Sequence, residues 1–213
     1  MHKFITVCIL IIAPDILFGQ LQHDVPENDS VNSKWSFSLW GDYFIIPDDK
    51  DIFNPTFYAD HKSLHFEARY NYEDLNTASA FAGWRFETGN TLQFVAIPMM
   101  SIVFGNTNGI APGLEVELIY KKFDFYSESE YLFDFSGKEN NFAYTYTELA
   151  ATIFKEHVRT GLTGQRTRLY QTKLDIQRGV FAEYYFGRFR VGAYYYDPFS
   201  SSNLGVISFS VDF

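Results

Sequence analysis

The stretch "LHFEARYNYE" puts Leu64, Phe66, Ala68, Tyr70 and Tyr72 on one face of an extended chain. His65, Glu67, Arg69, Asn71 and Glu73 fall on the other. Side chains alternate across a β-strand with period two, so one face is apolar and its reverse is charged. In "GLEVELIYK", Leu114, Val116, Leu118 and Tyr120 likewise oppose Glu115, Glu117, Ile119 and Lys121. The pattern recurs through most of the chain after residue 34, and no stretch carries a helical period of comparable strength. Such a chain must fold as a sheet whose two faces meet different surroundings.

Composition narrows what those surroundings are. Aromatic residues make up 19% of the chain, with 23 Phe and 15 Tyr, yet mean hydropathy is only −0.15. No apolar run reaches the ~20 residues of a membrane helix. Abundant aromatic surface finely interleaved with polar residues fits either a β-sandwich or a membrane barrel. The connections discriminate between them. Candidate strands lie near 35–46, 55–61, 63–73, 79–88, 91–104 and 112–121, then 124–134, 142–153, 157–166, 176–186, 189–196 and 204–213. Short turns (around Lys62, "TGN", "KKF", "FKE", "GR") alternate with longer ones ("PDDKDIFN", "EDLNT", "GNTNGIA", "SGKENN", "LYQTKLD", "DPFSSSN"). Transmembrane barrels have an even number of antiparallel strands, with short turns at one end and longer loops at the other. Most of these strands reach the ~9–11 residues that cross a bilayer at a tilt.

Residues 1–19 have the form of a secretory signal. Lys3 supplies a positive charge, Phe4 to Ala13 an apolar region, and Gly19 a small residue before a cut at Gln20. Residues 20–33 read as a flexible segment, and 34–213 as the barrel. The single cysteine, Cys8, lies within the apolar region, so the mature chain would hold no disulfide and no cysteine metal site. A formal charge of −9 without a basic stripe makes nucleic acid a poor partner.

The closing "LGVISFSVDF" resembles the C-terminal assembly signal of Gram-negative outer-membrane β-barrel proteins. That signal is a terminal aromatic with apolar residues at every second position before it, matched by Phe213, Val211, Phe209, Ile207 and Gly205. The resemblance implies recognition by the barrel assembly machinery and insertion into the bacterial cell outer membrane, among lipids and lipopolysaccharide. It is specific for class and address and carries no activity. Closure also requires the last strand to pair with the first, because backbone groups in hydrocarbon must be satisfied internally. Trp35, Tyr43, Tyr72, Trp84, Phe86, Tyr120, Tyr195 and Phe213 are candidates for the aromatic girdles at the membrane interfaces.

The faces opposite the apolar ones would line the lumen. They carry Glu67, Arg69, Arg85, Glu87, Glu115, Glu117, Glu128, Glu130, Glu148, Arg159, Glu183 and Arg190. A charge on the lipid side near the midplane costs about 2–4 kcal/mol for Arg or Lys, which favours the inward assignment. If the turn "KKF" pairs Lys121 with Asp124, Glu117 stands opposite Glu128 and Glu115 opposite Glu130. The loop "LNT" could set Glu67 opposite Arg85. The residues thus suggest a passive, porin-like channel for small polar solutes or ions. The alternatives are a non-conducting structural or binding barrel with a salt-bridged lumen, and a lipid- or lipopolysaccharide-acting enzyme.

Catalysis has little support in the residues. His61, Ser63 and His65 could supply a hydrolase pair, but they cluster at a short turn, away from the outer rim where barrel phospholipases carry theirs. No catalytic residue is therefore assigned. No cofactor or metal is expected, because carboxylates alone do not make the dense oxygen cage that calcium prefers. Arg166, Arg168, Lys173 and Arg178 lie in a presumed outer loop, where they could meet lipopolysaccharide phosphates.

Overall fold

In a computed structural model the chain is described for residues 34–47, 49–167, 176–200 and 202–213. Residues 1–19, expected above to be a secretory signal, the expected flexible segment 20–33, Arg168 and Lys173 lie outside them. The strands are β1 (Ser36–Ile45), β2 (Ile52–His61), β3 (Leu64–Tyr70), β4 (Thr77–Trp84), β5 (Phe86–Thr88), β6 (Leu92–Gly105), β7 (Gly109–Tyr120) and β8 (Phe123–Asp134). They continue with β9 (Phe142–Ile153), β10 (Val158–Arg166), β11 (Gln177–Phe186), β12 (Phe189–Tyr196) and β13 (Leu204–Asp212). Every neighbour pair is antiparallel, and β4 and β5 both pair with β6. They form one traverse interrupted at Arg85. The result is a closed up-and-down barrel of twelve traverses, and β1 against β13 is the seam.

The seam is continuous to the last residue. Tyr43 faces Ile207, Gly41 faces Phe209 and Leu39 faces Val211. Phe37 and Phe213 then exchange backbone hydrogen bonds of 3.0 and 2.9 Å. A Cβ at Gly41 would stand 2.8 Å from the tip of the exposed Phe53 ring, which would have to turn aside.

Alternation sorts the surfaces as the pattern demands. Leu39, Phe57, Phe66, Ile102, Leu114, Leu162, Val180, Ile207 and Phe209 are exposed on the outside, while Thr56, Glu67, Ser79, Ser101, Glu128, Glu183 and Ser208 are buried within. A water-soluble monomer rarely exposes more than a few hundred Å² of contiguous apolar surface. An apolar band around a closed barrel is instead the surface a bilayer requires. Both ends of the barrel segment lie at the end where the connections are short: Lys62–Ser63, 89–91, Lys121–Lys122, 154–157 and Gly187–Arg188. Lys62, Lys121 and Gly187 have φ of +57°, +55° and +61°, the left-handed conformation that tight hairpins use.

Four details depart from the sequence reading. First, the Lys121–Lys122 turn is a two-residue hairpin that pairs Tyr120 with Phe123, so Glu115 faces Glu128, Glu117 faces Tyr126 and Glu130 faces Gly113. The slip is two residues, which preserves the faces. Second, the β3–β4 connection takes up Asn71 to Asn76, so Glu67 faces Phe81. Arg85 instead donates its backbone N–H to Ser63. Third, β6 and β7 extend until only Asn106–Asn108 joins them, so "GNTNGIA" is mostly strand. Fourth, Tyr72 leaves the girdle set and turns inward to hydrogen-bond Glu128 and Tyr144.

Candidate functional site

The interior charges gather into two networks centred on arginines of different strands, with β8 and β9 contributing to both. The first centres on Arg69 of β3. Its Nε and Nη2 bind Glu67 of the same strand. Its Nη1 donates to Glu128 Oε1 of β8 at 2.6 Å and lies 3.8 Å from Glu130 Oε2. Strand periodicity explains the grouping, since residues two apart share a face. The guanidinium lies between the Phe81 and Tyr72 rings, 4.1 and 4.3 Å from their centroids. Such contacts favour a desolvated cation. Tyr72 donates to Glu128 Oε2 at 2.7 Å, and Tyr144 donates to Tyr72 at 2.8 Å. His65 extends the network toward the short-turn end, with Nδ1 2.7 Å from Asp60 and Nε2 2.8 Å from Glu67. Glu115 accepts from the Tyr126 hydroxyl at 2.9 Å.

The second network centres on Arg159 of β10. Its Nε donates to Asp124 at 3.0 Å, and its Nη1 lies 2.6 Å from Glu148 and 3.0 Å from Glu183. Glu183 also accepts from Tyr194 at 2.6 Å and Tyr185 at 3.1 Å, and pairs with Arg190 at 3.3 Å. Arg190 packs its guanidinium 3.4 Å over the Trp40 ring. Arg85 and Glu87 form a separate, looser pair at 3.5 Å near the short-turn rim.

Cations are the minority in both networks. Arg69 and His65 stand among Asp60, Glu67, Glu115, Glu128 and Glu130, while Arg159 and Arg190 stand among Asp124, Glu148 and Glu183. Glu130, 5% exposed, has no hydrogen bond to either carboxylate oxygen. The interior is acidic on balance, and its low dielectric makes that imbalance count for more than it would in water.

A cavity of about 900 Å³ runs inside the barrel beside these networks. Its lining reaches from Asn90, Lys121, Glu156 and Arg188 at the short-turn end to Phe44, Gln165, Thr167 and Tyr196 toward the loop end. Of the charged residues singled out from sequence, Arg85, Glu115, Glu117, Glu128, Glu148, Arg159, Glu183 and Arg190 line it. Glu67, Arg69 and Glu130 point inward but are packed into the wall. Glu87 stays at the rim beside Arg85. Ile207, Phe209 and Phe213 of the terminal strand are exposed on the outer face, with Gly205 and Val211 partly covered.

The fold is similar to that of KdgM porin. A solved structure titled "KdgM porin" aligns with a TM-score of 0.57 over 83% of this chain and 99% of its own, at 11% identity. Another, "KdgM porin in complex with disordered oligogalacturonate", aligns at 0.55 over 84% and 99%, again at 11% identity. No protein-family model matches the chain, and no curated protein matches it by sequence. The shared feature is thus the barrel architecture.

Several interior residues carry no motif that sequence reading would notice. Asp60, Asp124, Tyr126, Tyr194 and Trp40 join the networks only through register across strands. Their inward parity was the available signal. The histidines separate in space: His65 is buried among carboxylates, His61 stacks on Trp35 at 5.0 Å, and His157 is exposed with Nδ1 3.3 Å from the Tyr185 carbonyl. Arg166 reaches the Ala143 carbonyl and Arg178 is exposed.

Proposed function

We propose that this chain is an outer-membrane porin-like channel that passes small polar solutes or ions, with a preference for cations or neutral molecules over anions. The observation that carries this reading is the cavity of about 900 Å³, in whose wall charged residues stand from one rim toward the other. A pore selects by its width and by the sign of the charges along its wall. Here carboxylates outnumber guanidiniums on that wall. One structural neighbour's title names oligogalacturonate, an anionic sugar, and the acidic interior of this chain argues against a strongly anionic cargo of that kind. Lipids and lipopolysaccharide would surround the apolar band. The terminal strand would be the element read by the barrel assembly machinery, and residues 1–19 the export signal.

One observation favours a second reading, a non-conducting barrel. Arg69 and Arg159 each engage three carboxylates, and such networks fill space as well as balancing charge. Swelling of liposomes containing the purified barrel separates the two. A channel makes them swell faster in a small neutral sugar than protein-free liposomes, and slower in a sugar acid of the same size. Equal rates with and without protein would establish the closed barrel instead.

A further inference from the structure

We propose that His65, Glu67 and Glu115 form a binding site for a divalent transition-metal ion, of which Zn²⁺ best suits the donors. One ligand atom from each residue lies within 4.8 Å of the others, and all three residues are buried. Atoms sharing one four-coordinate zinc lie about 3.4 Å apart, so His65 Nε2 and Glu67 Oε1, now hydrogen-bonded at 2.8 Å, would part slightly while Glu115 moves in by about 1 Å. The donor set argues for the class of metal. An imidazole nitrogen with carboxylate oxygens suits zinc and its neighbours, whereas calcium and magnesium take oxygen ligands.

The surroundings are what distinguish this cluster from a chance meeting of acids. Each of the three side chains has a further polar atom already held by a different neighbour. Asp60 takes His65 Nδ1 at 2.7 Å, Arg69 takes Glu67 Oε2, and Tyr126 donates to Glu115 Oε1 at 2.9 Å. That leaves His65 Nε2, Glu67 Oε1 and the second oxygen of Glu115 for a shared ion. A carboxylate on the far nitrogen of a histidine orients the ring and fixes Nε2 as the coordinating atom in metal sites. Without a metal, His65 satisfies two ionised carboxylates only with a proton on each nitrogen. A metal would replace the Nε2 proton and supply the cation that Glu115 lacks while it faces Glu128 across the β7–β8 pair. His65 and Glu115 both line the cavity, so an ion could enter from the lumen and keep a water there as its fourth ligand.

The test uses the folded barrel purified in detergent and titrated with Co²⁺, whose visible absorption intensifies on entering a four- or five-coordinate site. One equivalent should bind, Zn²⁺ should displace it, and Ca²⁺ or Mg²⁺ in tenfold excess should not. His65→Gln and Glu115→Gln should abolish the band or weaken binding at least tenfold. Asp60→Asn should weaken binding about tenfold or more, and it remains informative should either ligand variant fail to fold. No saturable band in the wild-type protein would overturn the proposal, as would binding kept within twofold in Glu115→Gln and Asp60→Asn. The readout is independent of conduction, so a barrel that binds cobalt without passing current would still support the site.

Discussion

At the scale of single residues, the interior is held by cations that each serve several acids. Breaking a buried pair by removing one partner costs about 3–5 kcal/mol, because it strands an uncompensated charge. Arg69→Met should therefore lower barrel stability by about that amount, as Glu67, Glu128 and Glu130 would lose their common partner. Arg85→Ala, at a loose rim pair of 3.5 Å, should cost less than about 1 kcal/mol. Urea midpoints of the two variants in detergent micelles compare them directly. Glu73, in the connection between β3 and β4, makes a different prediction. It is 0% exposed, and only its Oε1 accepts a hydrogen bond, from Ser79. Burial pushes its carboxyl above the usual range. The folded loop then keeps a proton that the unfolded chain releases near pH 4.3, so its ionisation erodes stability as pH rises through and above that value. Glu73→Gln should raise the unfolding midpoint at pH 7 and have little effect at pH 3.5. A benefit that grows toward low pH would contradict this.

At the scale of the strand, one parity rule governs the whole wall. Ile207 of β13 faces out opposite Tyr43, while Ser208 beside it is 2% exposed. Ile207→Lys should cost about 2–4 kcal/mol if the position lies near the bilayer midplane, measured by reversible unfolding from lipid vesicles. An unchanged midpoint would place this strand elsewhere than in the membrane. Parity is also why so much of the fold was legible. The pattern through "LHFEARY" needs no tertiary knowledge, and β8, β9, β12 and the terminal strand fall within a residue or so of their expected bounds. Register was harder to read, because it depends on how many residues a turn consumes. The Lys121–Lys122 hairpin moved Glu115 from Glu130 to Glu128, and the Asn71–Asn76 connection moved Glu67 from Arg85 to Phe81. Both shifts are even-numbered, so faces survived while partners changed. The networks around Arg69 and Arg159 draw on strands far apart in sequence, and alternation along one strand cannot reveal them. The joining of His65 with Glu67 and Glu115 was hidden for the same reason.

At the scale of the whole molecule, an acidic interior and an apolar exterior are two consequences of one closed sheet. The outer wall answers to lipid and the inner wall to whatever enters the cavity. The proposed channel conducts along this inner wall and prefers cations. A single wall charge about 8 Å from a passing ion changes its energy by about 0.5 kcal/mol in water. Because the same charge attracts a cation and repels an anion, removing Glu117, which lines the cavity and stands opposite Tyr126, should lower the cation-to-anion permeability ratio about sixfold at low salt. The most direct measurement is the reversal potential of the purified barrel in a planar bilayer under a potassium chloride gradient. Discrete channel currents are expected, with a reversal potential on the cation-selective side that shifts toward zero in Glu117→Gln. Absence of current at every voltage, or a reversal potential on the anion-selective side, would contradict the proposal.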